Sequence, residues 1–185
     1  SKDLLCMYLN NNEDSALFNG KNLRLGGSKK LYEENGTMFG DLSAILIHNM
    51  PLWAEFSSTP SNKVSLMSDW EYKIQAIVNE TIHENVTSLA GVPSWMLVLL
   101  NTVLETSGSK TILDVWPNLE VYFHGGVSFL PYVDQFKSII PSNSLKYYEI
   151  YNASEGFFAI QDRNHSDELL LMLDYGIFYE FIPMK

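Results

Sequence analysis

Apolar side chains recur along this chain with two periods, and the switching between them predicts a mixed α/β body. The clearest helical stretch runs from residue 70 to about residue 83. There Trp70, Ile74, Ile77, Val78 and Ile82 fall at three- and four-residue spacing, with Glu80 and Glu84 on the polar side. Ser68-Asp69-Trp70-Glu71 has the spacing of a capping box, with Ser68 as the expected cap. Residues 95–104 are apolar on nearly every face and stop at Gly108, which predicts a helix buried inside a larger body. β-prone runs alternate with these helices at residues 22–25, 86–90, 120–124 and 145–151. The first of them ends at Gly26-Gly27 and reads as an edge strand.

The second half decides the fold class. After the strand at 120–124, Gly125-Gly126 reads as a turn that needs unusual backbone angles, and Ser128 as the cap of a helix over about 130–140. Pro131 suits the first turn, and Leu130, Val133, Phe136 and Ile140 share a face. Strand, glycine turn, helix and strand make a βαβ unit with parallel strands. Three further β segments, 157–161, 169–173 and 177–182, are joined by links of hairpin length. The expected architecture is therefore α/β, a mixed sheet with a βαβ unit followed by antiparallel hairpins. Residues 4–9 fit a short helix or a strand, and 44–47 a buried strand or the start of a helix. Pro51 and Pro60 bracket an expected loop.

Composition narrows the classes. Of 185 residues, 46% are hydrophobic and 18% charged, which is globular and large enough for one sizeable core. The net charge of -10 argues against a polyanion-binding surface, so nucleic acid is not an expected partner. Apolar runs such as residues 96–100 are far short of the roughly 20 residues that span a bilayer, so no membrane partner is expected. The single cysteine, Cys6, forms no intramolecular disulfide; it reads as a buried, inert residue in a reducing compartment, the cytoplasm. Lys29-Lys30 reads as a solvated pair. Asn-x-Ser/Thr triplets begin at Asn35, Asn79, Asn85, Asn152 and Asn164, in keeping with a chain rich in Asn.

Generic catalytic signatures are absent. His48, His83, His124 and His165 show no metal-ligand spacing, and there is neither a nucleophile elbow nor a Gly-Lys-Ser/Thr phosphate loop. One stretch stands out: Tyr151-Asn152-Ala153-Ser154-Glu155-Gly156, where small residues set a hydroxyl and a carboxylate in a turn after a β-prone segment. A hydroxyl beside a phosphate oxygen and a carboxylate on Mg²⁺ would be its chemical use; the alternative is an ordinary β-turn with a solvated Glu. In parallel α/β sheets ligands bind beyond the carboxyl ends of the strands, where Gly125-Gly126 and the Tyr151 loop both lie. The glycine pair would admit a flat ring against the backbone and Tyr151 would offer a stacking face, or the glycines make only a tight turn.

Four motifs occur in order: Gly91-Val92-Pro93-Ser94-Trp95, Gly125-Gly126, Tyr151-Asn152-Ala153-Ser154-Glu155-Gly156-Phe157-Phe158 and Phe178-Tyr179-Glu180-Phe181-Ile182-Pro183. Together they resemble the auxin-responsive promoter family of acyl acid amido synthetases, in the acyl-adenylate-forming superfamily, from about Gly40 to the end and more loosely from Gly20. The resemblance implies a two-step reaction: a carboxylic acid and ATP give an acyl adenylate, and an amino acid amine then takes the acyl group as an amide. It implies ATP and Mg²⁺ as cofactors, and a small carboxylic acid and an amino acid as partners. It places Glu155 on Mg²⁺, Ser154 near the α-phosphate, Tyr151 and Asn152 around the adenosine, and Gly125 and Gly126 behind the adenine. Ser94, Met96 and Phe158 would border the acyl pocket.

The departures carry expectations too. The family's Ser/Thr-rich phosphate loop, its second nucleotide Asp and its mobile C-terminal domain are not among these residues. The chain is thus expected to be a central piece of the adenylation domain of a parent of about 500 residues, and a poor catalyst alone. Asn152-Ala153 stands where plant members often have Ala-Ser. A non-catalytic ligand-binding or interaction module on the same fold is the alternative.

Overall fold

The computed structural model describes residues 2–27 and 32–183, the side chain of Met38 excepted; the Lys29-Lys30 pair lies outside them. The chain begins with helix α1, Lys2–Asn11, so residues 4–9 take the helical alternative. Strand β1, Lys21–Leu25, is followed by a small hairpin of β2, Tyr32–Glu34, and β3, Thr37–Phe39. Three short helices and a two-residue strand come next: α2 (Leu42–His48), α3 (Leu52–Phe56), β4 (Ser58–Thr59) and α4 (Asn62–Ser65). The expected loop between Pro51 and Pro60 thus holds α3 and β4. Helix α5 (Trp70–Thr81), β5 (Val86–Gly91), α6 (Pro93–Ser107) and α7 (Ile112–Val115) lead to β6, Val121–Gly125. Helix α8 (Val133–Ile139) then joins β7 (Lys146–Ala153), β8 (Gly156–Ile160) and β9 (Leu170–Leu171).

Seven strands form one sheet in the order β4-β1-β5-β6-β7-β8-β9. Neighbours from β4 to β7 are parallel, and β7–β8 and β8–β9 antiparallel. This is the mixed sheet the periodicity predicts, with β6, α8 and β7 as the βαβ unit. One face is covered by α5, α6 and α8 over a core that includes Leu23, Ile77, Leu89, Leu100 and Tyr122. The other is covered at one end by α1, where Tyr8 sets its ring edge-on to Phe123 and Tyr148 at 5.6 and 5.2 Å. Alternation along β6 sends Val121 and Phe123 to the second core and Tyr122 to the first.

Several local expectations fail for identifiable reasons. Strand β1 is interior, because β4 and β5 pair on either side of it. The cap of α5 is Asp69, whose carboxylate accepts from the Tyr72 amide at 3.1 Å; Ser68 lies one residue too early. Asp69→Ala is expected to cost about 1 kcal/mol in denaturant unfolding and Ser68→Ala almost nothing; equal losses would return the cap to Ser68. Helix α6 has one open face, with Trp95 and Val98 exposed. Ser128 caps nothing: the chain enters α8 through a 3₁₀ turn at Leu130–Tyr132, and Leu130 is 82% exposed rather than facing inward with Phe136 and Ile140. The third β segment does not form. Residues 177–182 find no strand partner, and Phe178, Phe181 and Ile182 are exposed. Cys6 is exposed as well, not buried.

Candidate functional site

Four parallel strands deliver their carboxyl ends to one cleft. Register aligns Arg24 of β1 with Ala90 of β5 and Phe123 of β6, and the next row runs Leu25, Gly91, His124 and Glu149. Over these ends opens a cavity of about 480 Å³, lined among others by Asn22, Arg24, Ser88, Trp95, Phe123, Gly126 and Asn152. The walls are held from behind. Tyr122 donates its hydroxyl to the Gly91 carbonyl at 2.9 Å, tying β6 to the turn that enters α6. Lys73 of α5, almost wholly enclosed, donates to the carbonyls of Gly26, Gly27 and Ser65 at 2.7, 2.5 and 2.6 Å. The Gly27 amide in turn donates to Ser43 of α2 at 2.6 Å. Burial lowers the Lys73 pKa to about 8, against the opposing pull of Asp41.

The two glycines at the end of β6 differ in what they require. Gly125 pairs with Ile150, and a Cβ there would stand 2.3 Å from the Ile150 carbonyl oxygen; close strand approach demands it. Gly126 has φ +83°, and a Cβ there would make only an ordinary van der Waals contact with Val92 Cγ2 at 3.4 Å. Beyond Ile150, β7 continues through Tyr151 and Asn152 to a two-residue turn, Ser154-Glu155, which returns the chain as β8. Both turn residues are exposed.

Of the residues singled out from sequence, Gly125, Gly126 and Asn152 line the cleft together. Ser154 and Glu155 stand at the tip of the hairpin, and Asn152 lies in the second strand pair from that tip. Tyr151 and Phe158 pack on each other with ring centroids 5.1 Å apart, outside the cleft lining. Ser94 is half-buried in the first turn of α6 and Met96 is fully buried; the α6 residue that does line the cleft is Trp95 between them. Sequence reasoning passed over Asn22 and Arg24. Their signal was a pair of polar side chains at alternating positions of a strand, which reads as a solvated face.

His124 is buried at the end of β6, its ring stacked 4.1 Å from Phe129 and its Nδ1 without a partner. Desolvation lowers its pKa to about 4. The folded value lies below the unfolded one of roughly 6.5, so the unfolded chain takes up the proton first as pH falls. The stability His124 contributes is complete above about pH 6.5 and is lost progressively toward pH 4. His124→Gln is expected to flatten that part of the unfolding profile; an unchanged slope would mean that His124 is not held neutral.

The structure defines an α/β domain with a mixed sheet and a cleft beyond the carboxyl ends of its parallel strands, lined in part by the glycine turn. Residues 1–145 match the GH3 family N-terminal domain. The chain belongs to the GH3 family, and the match takes in α1, ahead of the residues where the motif likeness begins. A solved structure of "GH3.15 acyl acid amido synthetase" superposes with a TM-score of 0.65 at 12% identity, over 89% of this chain and 39% of that one. That likeness bears on the fold, and the chain spans well under half the length of that protein. No curated protein matches the chain. Among the described residues no helix is long and apolar enough to cross a membrane.

Proposed function

We propose that the chain is the central sheet portion of the adenylation domain of an ATP-dependent acyl acid amido synthetase, in a longer cytoplasmic parent that adds the phosphate loop and a C-terminal domain. The carrying observation is that Gly125-Gly126 and Asn152 line one cleft, with Ser154-Glu155 on the same hairpin as Asn152. In this reading the cleft-lining backbone at Gly126 receives the adenine, Tyr151 and Asn152 border the adenosine, and the Ser154 hydroxyl donates to the α-phosphate. Ser94, Met96 and Phe158 shape the acyl side, with Trp95 the α6 residue that reaches the cleft and Phe123 of β6 lining it as well.

A carboxylate oxygen of the acid attacks the α-phosphorus and pyrophosphate leaves; an amino acid nitrogen then attacks the acyl carbon, AMP departs and the amine gives up a proton. What the chain supplies is position and charge: the acid and nucleotide are held in one cavity at the distance where reaction is effectively intramolecular. Among the described residues no group of three or more acidic, His or Cys side chains could hold a metal by itself. One exposed carboxylate suits Mg²⁺, which takes one or two protein carboxylates beside substrate phosphates and water. Glu155 would hold it, and the bound ion supplies neutralisation of phosphate charge.

The test is pyrophosphate release by the parent chain with ATP, Mg²⁺ and a panel of carboxylic acids. Acid-dependent release is the expected result. Acid binding without release would leave a ligand-binding module on the same fold and sink the synthetase reading.

A further inference from the structure

Arg24 is a buried cation in the wall of the cleft, and among the described residues no carboxylate pairs with it directly. Its residue is 8% exposed. Nη2 donates to Asn62 Oδ1, Nη1 rests against the Met50 thioether at 2.7 Å, and Nε has no partner at all. The ion pairs found among the described residues belong to Arg163. The carboxylate that compensates Arg24 is Glu55, which acts at a distance: it accepts from Asn62 Nδ2 at 2.7 Å, and Asn62 stands between. A thioether is a weak acceptor and a guanidinium fork is shaped for a carboxylate. Burying the charge beside a neutral amide and a sulfur is unfavourable unless something else meets it.

We propose that Arg24 anchors a second anionic group on the acid substrate, so that the cleft selects dicarboxylic acids with an apolar body. The inference rests on the synthetase reading only for which end of the acid reacts. Arg24 aligns with Ala90 and, one strand further, with Phe123, so two strand spacings, about 10 Å, separate β1 from the strand that ends in Gly125-Gly126. An acid whose reacting carboxylate meets nucleotide at the β6–β7 rim therefore extends its far end toward β1. The wall between is apolar, with Trp95, Phe123 and Leu25 along it. At the β1 end Asn22, Ser88 and Ser58 join Arg24, and Met50 is the flexible side chain that a carboxylate displaces from Nη1.

The experiment is calorimetric titration of the parent chain, without ATP, using matched pairs: suberate against octanoate and terephthalate against benzoate. The diacid of at least one pair is expected to bind about tenfold more tightly, with the advantage shrinking as salt rises. In Arg24→Met the advantage of the diacid over its matched monoacid is expected to fall below about twofold, and Arg24→Lys is expected to restore part of it. Equal binding of diacid and monoacid by the unaltered protein overturns the inference, and needs no variant to fold. Pyrophosphate release with monoacids alone overturns it too, while leaving the synthetase standing. Selective diacid binding with no release for any acid supports Arg24 and removes the synthetase reading instead.

Discussion

Glu155→Ala in the parent chain is expected to lower acid-dependent pyrophosphate release on the order of 10²–10³-fold, with no change in thermal unfolding. The asymmetry follows from where the carboxylate sits. Glu155 is exposed at the tip of the β7–β8 turn, beyond the last pair of the ladder, so its removal leaves the sheet intact. If it holds Mg²⁺ on the nucleotide, its loss leaves charge unneutralised at the transferring phosphorus, where a single charged or hydrogen-bonding group carries an effect of that size. Glu155→Gln keeps the shape and is expected to lose nearly as much. Release within twofold of the unaltered rate in either variant would make the turn an ordinary solvated hairpin.

The second large effect separates two adjacent glycines. Gly125→Ala puts a methyl 2.3 Å from the Ile150 carbonyl and 2.9 Å from its Cγ1. The obstructing atom is backbone of the paired strand, so relief requires β6 and β7 to part. A loss on the order of 3 kcal/mol in denaturant unfolding is expected. Gly126→Ala meets only an ordinary contact with the Val92 side chain at 3.4 Å and bears the cost of a left-handed residue, roughly 1–2 kcal/mol. Its methyl would stand on the backbone proposed to receive the adenine, so its larger signature is expected in the KM for ATP. Equal stability losses at the two positions would contradict the geometry, and an unchanged KM in Gly126→Ala would move the adenine elsewhere.

Sequence disclosed what is local in cause and hid what depends on distant partners. Helix α5 announced itself through Ile74, Ile77 and Val78, which are buried together, and Gly108 ends α6 with φ +68° as its position implied. The interior place of β1 was not legible, because Leu25 pairs with Gly91, sixty-six residues on, and no alternation within residues 22–25 encodes that. The β-prone residues 177–182 carry propensity without a partner, which shows how far side-chain preference alone goes in making a strand. At the site, the glycine doublet and the Tyr151–Gly156 stretch drew notice for their backbone and chemistry. Arg24 did not, since nothing local to residues 22–25 sets it apart, and its contacts with Met50 and Asn62, distant in sequence, belong to its burial.

Whether nucleotide and acid share this cleft is measured most directly by a crystal structure of the parent chain with an acyl sulfamoyl adenosine, an inert mimic of the acyl adenylate. The predicted result places its adenosine against Gly125, Gly126 and Asn152, its sulfamoyl group beside Ser154, and its acyl chain between Trp95 and Phe123 toward Arg24. A mimic bound elsewhere, with those residues untouched, would contradict the account.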